Sequence, residues 1–236
     1  MDKKLLSCDN KEIFYDVTTI LFGSIGSIAE TSELQLKAFN KAFKKFGLEW
    51  EWTPSQYKPM LLQAGGRRRI TEFSKSTDSS LSEEDIEKIY TMKGDFFVDF
   101  LESSRVRPRN GVKELMEQCA SQQIKLGWVT TTSEKNISAI KVALGEEIDF
   151  DLFEVTMSME QCSEPKPSPV VYEKALEFLA VGTETTVTIE DSTSGVSSSK
   201  QAGIFTIAFP GDYLKEHDFS RADISLEDLN KISISS

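Results

Sequence analysis

Of residues that commonly do chemistry, this sequence has few: one histidine, His217, and three cysteines in 236 residues. A lone histidine in an acidic, turn-like tail excludes a histidine-rich metal centre and reads as a solvated side chain. Cys8, Cys119 and Cys162 are odd in number, scattered and without metal-ligand spacing, so they are expected to be free thiols in a reducing compartment. Positive charge is also scarce. With 27 Lys and Arg against 38 Asp and Glu, the net charge is -11, which opposes binding to nucleic acid or to an anionic membrane. No apolar run approaches the length of a membrane span. The first sixteen residues, MDKKLLSCDNKEIFYD, contain two adjacent leucines among several acids, the pattern of neither a signal nor a transit peptide. A cytoplasmic protein is expected, with the plastid stroma as the alternative if a transit peptide has been removed.

Apolar residues are plentiful, at 39%, and a sizeable core follows. Five β-rich runs stand out at 17–22, 124–129, 152–157, 186–189 and 204–208. Helical patterns at 112–119, 134–144, 170–179 and 197–202 alternate with the later four, Pro169 suiting a first helical turn and Gly203 a C-cap. This order predicts an α/β fold with a doubly wound, mostly parallel Rossmann-like sheet and a ligand site at the strands' carboxyl ends. About a hundred residues separate the first two strands, too many for a simple crossover. That insert reads as helical. Leu34, Ala38, Phe39, Ala42, Phe43 and Phe46 form one apolar face, and Phe96, Phe97, Phe100 and Leu101 another. Ser82 and Asp85 make a capping-box-like start, which Leu81 and Ile86 could staple. The expected division is a core of 1–28 and 107–236 with a helical cap of 29–106.

The first of these strands runs into "ILFGSIGSI" (20–28), a glycine-punctuated turn with no acid, base, thiol or cation. Ser24 beside Gly23 and Gly26 suggests a serine hydrolase, but the spacing is not G-x-S-x-G and His217 is a poor base candidate. Nor does the turn have the lysine of a P-loop or the spacing of a dinucleotide fingerprint.

Other strand ends carry more. Thr130-Thr131-Thr132-Ser133 offers hydroxyls and backbone N–H groups suited to a phosphate, although an ordinary N-cap has the same composition. Glu190-Asp191 at a strand end could hold Mg²⁺ or be a solvated acidic turn. Glu164-Pro165-Lys166-Pro167-Ser168-Pro169 is either a spacer or a stiff arm aiming Lys166 at the site.

In this order the pieces resemble the capped haloacid dehalogenase-like (HAD) hydrolases. The cap loop LLQAGGRRRI (61–70), the segment RVRPRNGVKELM (105–116) and IEDSTSGV (189–196) are similar to the CbbY group, whose characterised members are xylulose-1,5-bisphosphate phosphatases. The family's first motif is D-x-D-G-T-L; here it is Gly23-Ser24-Ile25-Gly26-Ser27-Ile28. The resemblance implies that Gly23 replaces the aspartate that attacks phosphorus and ligates Mg²⁺. Ile25 replaces the aspartate that protonates the leaving oxygen. It further implies that Thr130, Thr131 and Lys166, with Arg67 and Arg69 of the cap loop, contact a sugar phosphate, and that Glu190 and Asp191 ligate Mg²⁺, weakly without their partner.

A glycine offers no nucleophile and an isoleucine moves no proton. The expectation is a phosphatase relative without its reaction centre that binds a sugar phosphate or regulates a partner. Two alternatives stay open, a structural subunit with a vestigial pocket and a weak or altered metal-dependent hydrolase. The identity of any protein partner also stays open.

Overall fold

The computed structural model describes residues 3–77, 79, 81–162 and 164–235. The chain opens with an antiparallel hairpin, β1 (Leu5–Cys8) and β2 (Lys11–Tyr15), followed by β3 (Thr19–Phe22). Four helices come next: α1 (Ser32–Phe46), α2 (Pro54–Met60), α3 (Gly66–Ser76) and α4 (Glu83–Ser103). The rest alternates: α5 (Val112–Ser121), β4 (Lys125–Val129), α6 (Glu134–Leu144), β5 (Phe153–Met157), α7 (Val170–Leu179), β6 (Thr186–Glu190), α8 (Thr193–Gln201) and β7 (Phe205–Ala208). Two short strands, β8 (Ile224–Ser225) and β9 (Ile232–Ser235), end it.

Strands β3 to β8 form one six-stranded sheet in the order β5-β4-β3-β6-β7-β8, with every neighbouring pair parallel. This is a Rossmann-like sheet flanked by helices, as the strand–helix alternation predicts. Alternate residues of β3 and β4 serve opposite faces. Ile20, Phe22 and Trp128 join a cluster with Leu115 and Met116 of α5 and Ile137 and Ile140 of α6. Leu21 and Val129 pack with Val171, Tyr172 and Leu176 of α7. All four residues of β3 are buried, because a central parallel strand is covered on both faces.

The inserted helices have an aromatic centre of their own, in which Phe39, Phe43, Trp52 and Tyr57 are nearly or fully buried. Ser82 caps α4 by accepting from Asp85 N, and the Asp85 carboxylate returns to Ser82 N, the expected capping box. The two crossings between insert and sheet lie side by side, since Arg109 N donates to Ile28 O at 2.8 Å. Arg109 also reaches the carbonyls of Gly26, Phe209 and Pro210, fastening the turn after β3 to the end of β7.

Two elements differ from expectation. The three-stranded sheet β2-β1-β9 was not anticipated, because Leu5 pairs with Ser235 across almost the whole chain. Helix α8 starts at Thr193 rather than 197, capped by Ser192 accepting from Gly195 N at 3.2 Å. Its Thr-Ser-Gly opening has low helix propensity, and this cap compensates for it. Among the described residues no helix is long and apolar enough to cross a membrane.

Candidate functional site

Three turns meet at the carboxyl ends of the central strands: 23–28 after β3, 130–133 after β4 and 191–192 after β6. The inserted helices stand opposite, and between them lies a cavity of about 240 Å³. From the sheet side it is lined by Ser24, Ile25, Thr130, Thr131, Thr132 and Asp191. From the helical side come Gln35, Tyr57, Arg69, Tyr90 and Lys93.

Gly23 follows β3 directly, its N–H donating to Ile189 O at 2.8 Å. A Cβ built on it would fall on the Glu190 carboxylate, and so would one built on Gly195. Glu190 therefore fills the space between two bare backbones, fully buried. Its Oε1 accepts from Lys166 Nζ at 2.6 Å and from the Tyr172 hydroxyl. Its Oε2 lies against Gly195 and Gly23 with no hydrogen-bond partner among the described residues. Lys166 is engaged on every side: Nζ also donates to Val129 O at 2.9 Å and contacts the Tyr172 oxygen at 3.3 Å. An ammonium has three donors, and these contacts use all of them. Burial and the neighbouring Glu190 carboxylate push the Tyr172 hydroxyl well above its usual range.

Asp191 is the acidic residue that reaches the cavity, where the Ser24 hydroxyl donates to it. Burial, and then the Glu190 charge, raise its carboxyl to about 6. Thr130 Oγ1 is turned inward and accepts from Thr132 N at 3.1 Å. At the start of α6 the Glu160 carboxylate already takes Glu134 N–H, at 3.2 and 3.3 Å. Ile25, 7% exposed, contributes only an apolar wall.

The cap-loop arginines diverge. Arg69 lines the cavity, donating to Met60 O at 3.0 Å and Gln63 O at 3.2 Å, with its guanidinium 5.8 Å from the Tyr57 ring. Arg67, expected beside it, does not reach the cavity. It pairs with Glu87 and lies 4.1 Å over the Tyr90 ring on the outer side of α3. Two residues apart on a helix point to different faces, so Arg67 and Arg69 could not both face inward.

Lys93 is the residue sequence reasoning missed. It sits on α4, 6% exposed, donates to Gln35 Oε1 and faces the rings of Phe39 and Phe97 at 5.1 and 4.9 Å. Burial, and then Arg69, lower its ammonium to about 7. The signal was there: a lysine among the Phe96-Phe97-Phe100 stripe at the spacing of the buried face.

The sheet, its inserted helices and the turns at the strand ends define a class, and comparison with known proteins supports it. Residues 20–209 match the family model described as Haloacid dehalogenase-like hydrolase, and the chain belongs to that family. Its similarity runs to the CbbY branch. It is 33% identical over 211 residues to Protein CbbY of Cereibacter sphaeroides, covering 89% of this chain and 92% of that one. It is 30% identical over 215 residues to Protein CbbY of Rhodobacter capsulatus, covering 91% and 95%. The crystal structure of CbbY from Rhodobacter sphaeroides in complex with phosphate superimposes with a TM-score of 0.84 at 32% identity, covering 90% and 95% of the chains. A variant of that protein in complex with xylulose-(1,5)bisphosphate gives the same values.

The family implies Mg²⁺, but the residues present do not fit it. Gly23 supplies no ligand, Glu190 faces Lys166 and the two glycines, and among the described residues Asp191 alone brings a carboxylate to the cavity. Among the described residues no group of three His, Cys, Asp or Glu is arranged to hold a metal.

Proposed function

We propose that this CbbY-like chain binds a sugar phosphate without hydrolysing it. The observation that carries this reading is the Glu190 carboxylate lying over Gly23, where an attacking side chain would have to stand. That carboxylate is buried and faces a lysine, so it is no substitute nucleophile. Ile25 removes the acid that would protonate a leaving oxygen. General acid–base catalysis contributes about 10²–10⁴-fold, and covalent attack adds to it, so both losses together leave no ordinary turnover. What supports binding is the cavity itself, with buried Lys93 and half-buried Arg69 at one end and carboxylate and hydroxyl groups at the other.

Purified protein with Mg²⁺ and a panel of sugar mono- and bisphosphates tests both halves. The expected result is a ligand-dependent rise in melting temperature with no phosphate release. Hydrolysis at about 1 s⁻¹ or faster, the low end of ordinary enzymes, overturns it.

One contact favours a second reading, an altered hydrolase: the Ser24 hydroxyl donates to Asp191, whose carboxyl is raised to about 6. That pair has the form of a nucleophile beside a base. Slow turnover abolished in both Ser24→Ala and Asp191→Asn would select it.

A further inference from the structure

The two ends of the cavity differ in whether their charge is free, and the difference bears on what the cavity holds. This step rests on the binding reading above. Of the groups at the sheet end that could receive a phosphoryl group, the lysine and two backbone N–H donors have internal partners. The Lys166 ammonium is saturated by Glu190, Tyr172 and Val129. The Thr132 N–H is taken by Thr130 Oγ1, and the Glu134 N–H by the Glu160 carboxylate. The charge this end does present is negative, from Asp191. A phosphoryl group there would meet a carboxylate with neither a free cation nor a metal between them.

The helical end differs in charge: Arg69 donates to Met60 O and Gln63 O and Lys93 to Gln35 Oε1, neutral acceptors that leave both cations uncompensated. Arg69 and Lys93 are the cations lining the cavity, and among the described residues neither has a carboxylate partner. A buried charge without a counter-ion is costly, and a bound anion would remove that cost.

We infer that the cavity takes a sugar monophosphate in one orientation, its phosphoryl group at Arg69 and Lys93 and its hydroxyls at Asp191, Ser24 and Thr130, without Mg²⁺. A carboxylate accepts hydrogen bonds and suits a polyol. The same carboxylate repels a second phosphoryl group, so a bisphosphate is the poorer ligand.

Calorimetric titration with xylulose 5-phosphate and xylulose 1,5-bisphosphate, each in EDTA and in Mg²⁺, tests this on the intact chain. The monophosphate is expected to bind equally in both buffers, and the bisphosphate about tenfold or more weakly. Lys93→Met should weaken the monophosphate about tenfold. That variant removes a buried unpaired charge and is expected to fold at least as well. Asp191→Asn should narrow the gap between the two ligands. Bisphosphate binding as tight as monophosphate, or binding that needs Mg²⁺, overturns this inference and leaves the non-hydrolysing reading standing. If neither binds, this inference falls, and the binding reading falls with it only when the wider sugar-phosphate panel also fails to bind.

Discussion

Two buried lysines, Lys93 lining the cavity and Lys166 behind its sheet side, do opposite things. Lys166 and Lys93 are 5% and 6% exposed, alike to any measure of burial. Lys166 has a carboxylate at 2.6 Å and two further oxygen neighbours. Lys93 has one amide oxygen and two aromatic rings. The first ammonium is part of the scaffold. The second remains charge-deficient around it, and burial lowers it to about 7. Burial alone does not identify a binding residue; the state of its partners does.

The sharpest way to break this contrast is to remove one member of the closed pair. Glu190→Leu leaves the Lys166 ammonium buried without a counter-ion, and a loss of about 3–5 kcal/mol in denaturant unfolding is expected. Adding Lys166→Met should recover much of it. If the single variant unfolds like the parent, the pair is not the closed unit described here.

A smaller effect tests the packing over the degenerate turn. Gly23→Ala puts a methyl group on the Glu190 carboxylate, and about 1–3 kcal/mol of destabilisation is expected from overpacking. In a Glu190→Ala background the same change should cost far less. Equal costs in both backgrounds would mean that Glu190 does not lie where it is described.

Lys93 is sharpened by pH. Gln35 and Phe39 face it from α1, Phe97 and Tyr90 from its own helix, and Arg69 from α3. Its ammonium is lowered from 10.5 to about 7 in the fold, so between those values the unfolded chain binds the extra proton. Stability should therefore rise with pH across that window, relative to Lys93→Met. Affinity for a sugar monophosphate should fall over the same window, because the anion needs the charged form. Parallel pH series of unfolding and titration check both slopes, and slopes of the same sign would refute the assignment.

The smallest expected effect belongs to Arg67. Its pair with Glu87 is half-exposed, so Arg67→Ala should change stability by about 0–1 kcal/mol and leave ligand affinity unchanged. A large loss of affinity would put Arg67 in the cavity after all.

How much of this was legible beforehand depended on distance along the chain. The central strands, the helices behind them and the aromatic faces of the insert were readable, since periodicity is local and each run carried its own. The turn 130–133 and Asp191 were placed at the site by their position at strand ends. Arg69 lines the cavity and Arg67 does not, and a run of three arginines does not tell which one the helix turns inward. Glu190 reads as a site group from its strand end and Lys166 from its proline-flanked arm, both supported by the family resemblance. The fold instead joins them to each other, 24 positions apart, through Tyr172.

The amino-acid sequence by itself determined the family, the strand–helix alternation and the absence of carboxylates at positions 23 and 25, all properties of short segments and of residue identity. Only the tertiary structure decided which charges are neutralised and which remain open. Glu190 lies over Gly23 because the turns after β3 and β6 converge, and Lys93 faces Arg69 because α3 packs on α4, which in turn packs on α1. Whether an ion is available to a ligand depends on atoms within about 4 Å, and those atoms come from segments distant in the chain.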